Sequence, residues 1–298
     1  MTNPLSRGEL FDKTLVADLI NKVKGHSSIT KLSAQKPVPF NGSKQFTFTF
    51  DSDIDIVAEN GAKSHGGATL APITIMPIKV EYGMRVSDEF LYATEEEKIE
   101  ILKGFNDGFS TKVARGLDLM AFHGINPRTK TASAIIGDNC FDKAVTQTVT
   151  FTDADPDGNI ELAVGMVQGS ENSVNGMAID PIMSTSLAKL KVNGVKQFPE
   201  LSWGANPGTV NGLATDVNTT VSFGMTDPKD VAILGDFQNM FRWGFAKEIP
   251  MEVIKYGDPD NSGQDLKGKN QVYIRSEAYL GWAIMDPSAF ARIIKTGA

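Results

Sequence analysis

Residues 95–124, EEEKIEILKGFNDGFSTKVARGLDLMAFHG, form the segment that decides the fold. Its apolar residues recur every three or four positions, a spacing that places them on one stripe of an α-helix. The stripe contains Ile99, Leu102, Phe105, Phe109, Val113, Leu117 and Met120. Gly124 is a natural helix end, and Pro127 prevents the helix from resuming. A helix of this length spans about 43 Å, so we predict a single long helix against which a domain packs.

The region before this helix predicts a long β-hairpin. Phe46, Phe48 and Phe50 alternate with threonines, as in a strand that buries one face. The polar run at residues 59–67 predicts a turn, and a second strand-forming run occupies residues 73–86. An isolated two-stranded hairpin is only marginally stable in water. We therefore expect a partner chain to cover it.

The region after the long helix predicts alternating helices and strands. Residues 159–171 have helical spacing, and residues 176–179 form a short strand. Asp180 and Pro181 then supply an N-cap followed by proline at the first helical position. Further strands are predicted at residues 231–234, 249–256 and 271–285. Helices and strands together predict the fold class α+β.

Composition and charge exclude several classes of protein. A chain of 298 residues with 41% apolar content can bury a sizeable core. The net charge of -7 provides no general basic surface for nucleic acid. The single cysteine, Cys140, excludes an internal disulfide. No apolar run approaches the roughly 18 residues that a membrane span needs, so we expect no membrane contact.

The sequence contains no recognisable catalytic motif. His26, His65 and His123 are scattered, and no cysteine–histidine pairing has zinc-ligand spacing. A glycine-rich phosphate loop, a nucleophile elbow and an H-E-x-x-H pattern are also absent. We therefore predict neither enzymatic activity nor a cofactor, and a cytosolic α/β enzyme is kept only as a remote alternative.

One acidic segment has the residue spacing of a metal-binding loop. Asp153, Asp155 and Asp157 are spaced like the first carboxylates of a calcium loop, and Gly158 has the position of its glycine. However, Val164 stands where such a loop has a glutamate. The alternative is an aspartate-rich turn that caps the following helix. Both interpretations remain open at this stage.

Four sets of segments, in the order expected, resemble the major capsid proteins of tailed bacteriophages, which share the Hong Kong 97-like coat fold. The first set resembles the family's extended loop and the strand that leads to its spine helix: IVAE at 56–59, API at 71–73 and VSDE at 86–89. The second is the helix end LDLMAFHG at 117–124. The third is GMAIDP at 176–181 with LAKLK at 187–191. The fourth is LGDF at 234–237, RSEAYLGW at 275–282 and DPSAF at 286–290.

The resemblance implies a domain organisation. It comprises an N-terminal arm at residues 1–45, with an amphipathic helix near residues 8–23, and an extended hairpin loop at 46–83. It further comprises a peripheral domain with the spine helix at 84–160 and 245–298, and an axial domain at 161–244.

The resemblance also implies a function, that of a major capsid protein. Such a chain self-assembles, as hexamers and pentamers, into an icosahedral shell that encloses phage double-stranded DNA. Expected partners are other copies of the chain, a portal and a separate scaffolding protein, with only non-specific contact to the packaged DNA. The expected location is the virion capsid, assembled in the bacterial host cytoplasm. The alternative is an encapsulin-type nanocompartment shell, which has the same fold and encloses an enzyme.

The resemblance finally implies contacts between subunits. Phe46, Phe48, Phe50, Glu59 and Lys63 are the expected inter-subunit residues of the hairpin. Some family members also join their subunits by an isopeptide bond between a lysine and an asparagine, assisted by a glutamate. Lys63, Asn270 and Glu277 fall at those three positions.

Overall fold

The computed structural model describes residues 27–92, 94–223, 227–247 and 251–297. The α-helices are α1 Ser28–Leu32, α2 Glu95–His123, α3 Phe141–Ala144, α4 Pro156–Gly169 and α5 Pro181–Lys189. The strands before α5 are β1 Ser43–Phe50, β2 Ala68–Ile75, β3 Ile78–Ser87, β4 Thr148–Thr150 and β5 Gly176–Ile179. The strands after α5 are β6 Lys191–Val192, β7 Val195–Lys196, β8 Thr209–Val210, β9 Leu213–Val217, β10 Lys229–Gly235, β11 Phe241–Lys247, β12 Met251–Ile254, β13 Gln271–Ile284 and β14 Phe290–Lys295.

The long helix α2 is confirmed over the whole predicted length, and Gly124 follows it with a left-handed φ of +64°. The stripe from Leu102 to Met120 is buried. Ile99, at the start of the same stripe, has a side chain that is more than half exposed. The first turns of α2 therefore extend past the core that the later turns cover. Among the described residues, no helix combines the length and apolarity needed to cross a membrane.

A four-stranded sheet surrounds β13. Strand β3 pairs along one edge of β13 over residues 271–280, whereas β12 and β11 follow each other along the other edge. Helix α2 packs on this sheet, with Leu102 and Phe105 contacting Val272 and Ile274 in one cluster. The apolar run at residues 73–86, predicted as one strand of the hairpin, is therefore divided between two sheets. Pro77 lies at the division, where its missing N–H interrupts strand pairing.

A six-stranded sheet has the order β4-β14-β10-β5-β9-β8. Helices α4 and α5 pack against it, and Val167, Leu187 and Leu234 are fully buried in the cluster between them. The predicted strand at 176–179 and the Asp180 cap are confirmed, since the Asp180 carboxylate accepts a hydrogen bond of 2.8 Å from the Ile182 amide. The predicted strand at 231–234 is also confirmed as the centre of β10.

Part of residues 27–38 is built into the core, although this segment falls within the predicted N-terminal arm. Ile29 and Leu32 are buried in the cluster that contains the C-terminal half of α2. The Lys36 and Val38 amides donate to the carbonyls of Trp243 and Phe245 at 2.9 and 3.3 Å, which extends the β11 edge of the sheet. A Cβ added at Gly244 would lie 1.8 Å from the Lys36 carbonyl oxygen, so only glycine fits there. The predicted helix near residues 8–23 lies outside the described residues.

Candidate functional site

The hairpin formed by β1 and β2 exposes an apolar surface that the described part of the chain leaves uncovered. The register places Phe46 opposite Pro72 and Phe50 opposite Ala68, and the two phenylalanine rings are largely exposed. The side chain of Phe48 lies outside the described residues. Large apolar side chains left in water favour burial by about 25 cal/mol per Å². A surface of this kind indicates a binding interface.

The loop between these strands, residues 51–67, is exposed along its entire length. A hydrogen bond of 3.0 Å from the Asp51 amide to the Gly67 carbonyl closes its base. Ile54 and Ile56 are 98% and 95% exposed, and they alternate with acidic residues. Glu59 and Lys63 are exposed near the tip. The loop therefore exposes both apolar and charged side chains on its surface.

The three candidate cross-linking residues lie in two regions of the chain. Lys63 is on the loop, whereas Asn270 immediately precedes β13 with a left-handed φ of +53° and Glu277 lies within that strand. The Glu277 carboxylate pairs with Lys79 at 2.8 Å and with Arg275 at 3.3 Å. Asn270 and Glu277 are seven positions apart, which is about 23 Å along a strand. One lysine therefore cannot engage both residues of the same subunit.

The acidic segment at residues 153–157 begins a helix. Asp155 is the N-cap of α4, and its carboxylate accepts a 3.1 Å hydrogen bond from the Gly158 amide. Asp153 accepts a hydrogen bond from the Ser186 hydroxyl on α5. These contacts support the capping interpretation, while calcium binding is not tested by them.

Substituting Asp155 distinguishes the two roles. Asp155→Ala removes a helix N-cap and is expected to cost about 1 kcal/mol of folding stability. If the loop also bound calcium, EDTA would lower the melting temperature of the parent chain and leave that of the variant unchanged. Equal melting curves of the parent with and without EDTA would leave capping as the role of Asp155. Differential scanning calorimetry measures both effects, and Asp138→Ala, which removes an exposed carboxylate outside the segment, is the matched control.

A buried cluster of charged residues lies where α2, α3, β10 and β14 meet. The ligand atoms of His123, Asp142 and Asp230 lie within 4.8 Å of one another, a spacing that would suit a metal ion. However, the Arg292 guanidinium already donates to Asp142 at 2.8 Å and to Asp230 at 2.9 Å. An arginine is permanently charged, so it supplies the positive charge that a metal ion would bring.

The same cluster contains a histidine that faces only acceptors. Nδ1 of His123 lies 3.0 Å from Asp142, and Nε2 lies 2.9 Å from the Thr220 carbonyl oxygen. Burial alone would lower the pKa of His123, but its hydrogen bond to Asp142 and the charge of Asp142 outweigh burial and raise it. Burial raises the pKa of Asp230 to about 7, although Arg292 opposes this rise. The cluster is therefore an internal ion network.

Asp118 on α2 connects three parts of the chain, and the sequence analysis did not single it out for this role. Its buried carboxylate accepts hydrogen bonds from Ser27 Oγ, the amides of Ser28 and Ile29, Asn218 Nδ2 and Thr220 Oγ1. Burial raises the pKa of Asp118 to about 6, and the donors limit this rise. One signal was visible: an acidic residue within the apolar run at 117–122 requires buried partners.

Comparisons with known proteins agree on one class. The family model described as "Phage capsid family" matches residues 8–294. A solved structure from Mycobacterium phage Ogopogo has 33% sequence identity and a TM-score of 0.77, over 91% of this chain and 92% of that one. A search of curated protein sequences finds no match.

More distant structures show the fold alone. A structure from Gordonia phage Cozz has 24% identity and a TM-score of 0.77, over 92% of this chain and 87% of that one. The structure titled "Capsid of native GTA particle computed with C5 symmetry" has 13% identity and a TM-score of 0.63, over 91% and 90% of the two chains. The chain thus has the same fold as a protein of that capsid.

Proposed function

The chain belongs to the phage capsid family and is a major capsid protein that forms the shell, and from this we propose that its subunits join as hexamers and pentamers through their hairpins. The observation that carries the proposal is the exposed apolar surface of β1, β2 and the loop at 51–67. Among the described residues β1 and β2 form a two-stranded sheet by themselves, and this supports burial of the surface by a neighbouring chain on assembly.

We propose that the shell encloses double-stranded DNA, is assembled in the bacterial host cytoplasm and contains a portal. A separate scaffolding protein is part of the same proposal. The net charge of -7 supports a shell that contacts packaged DNA only non-specifically, because an acidic surface repels phosphate.

The proposal is tested by expressing the chain in bacteria and examining the product by electron microscopy. Closed particles with five-fold and six-fold subunit clusters are the expected result. A monomer or a small oligomer that persists at high protein concentration, with or without co-expressed phage structural proteins, would contradict it. Mass spectrometry of the particle contents separates a DNA-filled shell from a compartment that holds an enzyme.

We further propose that Lys63 and Asn270 of neighbouring subunits form an isopeptide bond. The unprotonated amine of Lys63 would attack the Asn270 carboxamide carbon, forming a C–N bond and expelling ammonia. Glu277 of a third subunit would accept the proton that the attacking amine loses and pass it to the departing nitrogen, which leaves as ammonia. The distance of about 23 Å between positions 270 and 277 along the strand supports contributions from different subunits.

Denaturing gels test the cross-link directly. Mature particles boiled in SDS are expected to show a ladder of covalent multimers, because an isopeptide bond survives denaturation. Lys63→Ala should remove the ladder, whereas Lys44→Ala, a matched change on β1, should leave it intact. A single band at the 32.2 kDa of the chain from mature parent particles would show that the hairpin contacts are non-covalent.

A further inference from the structure

An exposed tryptophan lies beside a short basic hairpin. Trp203 is 99% exposed and has a left-handed backbone, with φ +63° and ψ +26°. Its neighbour Ser202 accepts a 2.8 Å hydrogen bond from Lys196 Nζ. The hairpin of β6 and β7 places Val192 opposite Val195, and both side chains are exposed. We call residues 191–196 together with Trp203 the basic knob.

The basic knob has the composition of an interface centre. Tryptophan is enriched among the residues that contribute most to binding, since its large apolar surface gains from being covered. Lys191 and Lys196 lie opposite each other at the open end of the hairpin, and Lys196 bonds to Ser202 next to Trp203, so positive charge lies beside the apolar side chains. The knob therefore suits a partner surface that is apolar at its centre and acidic at its rim.

A surface of that kind lies on α4. An open groove of about 660 Å³ is lined by Asp155, Gly158, Glu161, Leu162, Gly165 and Met166. Leu162 and Met166 are exposed, and no atom lies within 4 Å of where a Cβ of Gly165 would be. The groove is thus apolar, with a glycine floor that allows close approach and carboxylates beside it. We call it the α4 groove.

The two surfaces lie over different parts of the six-stranded sheet. Helix α4 packs on β14 and β4, at one end of the strand order. The knob follows α5, whose contacts are with β5, β10 and the turn at Pro199–Gly204, and the chain then continues into β8 at the other end. Two different complementary patches on one subunit produce a head-to-tail contact, and such a contact gives a ring when the rotation from one subunit to the next closes.

We propose that the basic knob of one subunit docks into the α4 groove of its neighbour within a ring of subunits. Trp203 then packs between Leu162 and Met166, and the knob lysines lie against Asp155 and Glu161. A methionine sulfur beside an indole is a favourable contact. The inference rests on the proposed assembly of the chain as hexamers and pentamers, and it names the surfaces that hold each ring together.

Engineered cysteines test the contact geometry. The chain has one natural cysteine, Cys140, and it is buried. The variant Ala205→Cys/Gly169→Cys places cysteines beside the contact and keeps Trp203 and Met166; treated with a short bismaleimide, it is expected to give a ladder of linked chains that ends at five and six. The matched variant Ala205→Cys/Lys255→Cys carries the second cysteine on a different exposed surface and should give no ladder. Absence of a ladder from Ala205→Cys/Gly169→Cys particles would overturn the inference.

Charge reversal provides an independent measurement. Lys196→Glu and Glu161→Lys each place two like charges in contact and are each expected to weaken ring formation severalfold. The double variant exchanges the two charges and restores their attraction, so it should recover most of the loss. Trp203→Ala should weaken ring formation at least about tenfold. Analytical ultracentrifugation reports the ring fraction, and circular dichroism confirms folding. If the parent forms rings and none of these changes affects them, the docking is wrong while the shell function stands; if the parent never assembles, the shell proposal itself fails.

Discussion

Replacing residues 51–67 with an Asn-Gly turn is expected to abolish closed shells while leaving the subunit folded. The two-residue turn suits an antiparallel pair and would connect Phe50 to Ala68, which face each other at the end of the hairpin. The change removes Ile54 and Ile56, which are each expected to contribute about 1.5–3 kcal/mol when buried by a neighbour. Electron microscopy measures the loss of particles, and calorimetry confirms the fold.

The extent of the deletion matters. Ile75 is buried in a cluster with Val38 and Met285, so a deletion that continued to Pro77 would damage the subunit as well as the interface. The double variant Ile54→Asp/Ile56→Asp keeps the loop and changes only its two exposed isoleucines. It is expected to raise the protein concentration needed for assembly by at least about tenfold. Asp53→Asn/Asp55→Asn alters the adjacent positions as a matched control. Normal particles from the turn replacement would show that the loop is not the contact between subunits.

Asp118→Ala is expected to cost about 3–5 kcal/mol of folding stability. The change leaves the buried donors at Ser27, Ser28 and Thr220 without their acceptor, and orphaned buried donors are among the most damaging defects in a core. Because Asp118 holds residues 27–29 against α2, proteolysis near Ser27 should also accelerate. Thermal melting and limited proteolysis of unassembled subunits measure both effects.

The pH dependence of the conservative variant Asp118→Asn tests the same residue. The folded pKa of about 6 lies above the ordinary aspartate pKa of 3.8. The stabilisation linked to this shift is therefore present below about pH 4 and is lost as the pH rises through 6. The parent should lose stability between pH 4 and 7 more steeply than Asp118→Asn, which cannot titrate there. Parallel slopes would contradict the raised pKa, and Ser110→Ala, a buried change elsewhere on α2, is the structural control.

The sequence predicted elements whose signals are local. Helix α2, the strand at 176–179 and the Asp180 cap all depend on spacing or on adjacent residues, and all are confirmed. The partner of a strand is not a local property. The run at 73–86 has the same alternation whether it pairs with β1 or with β13, so its division at Pro77 could not be predicted from periodicity.

Polar residues in the core were the other difficulty. Ser27 and Ser28 indicate a surface segment by composition, yet both are buried because Asp118 and Asp216 accept their hydrogen bonds. The acceptors lie about 90 and 190 positions further along the chain, and nothing in the local pattern connects them. The hairpin residues Phe46 and Phe50 were predicted at the interface by resemblance, and their contact with a neighbouring chain stays a prediction.

The pairing of β3 with β13 has a mechanical consequence. The hairpin strand β2 leads into β3 after two residues, and β3 pairs with β13 at ten consecutive positions. A pull by a neighbour on the hairpin, directed along β3, loads these hydrogen bonds side by side in shear. They must then break together, whereas a ladder that is peeled loses them one at a time. A pulling force between subunits is thus transmitted to β13, the longest strand of the sheet. The hairpin is held to its subunit along the whole length of β3.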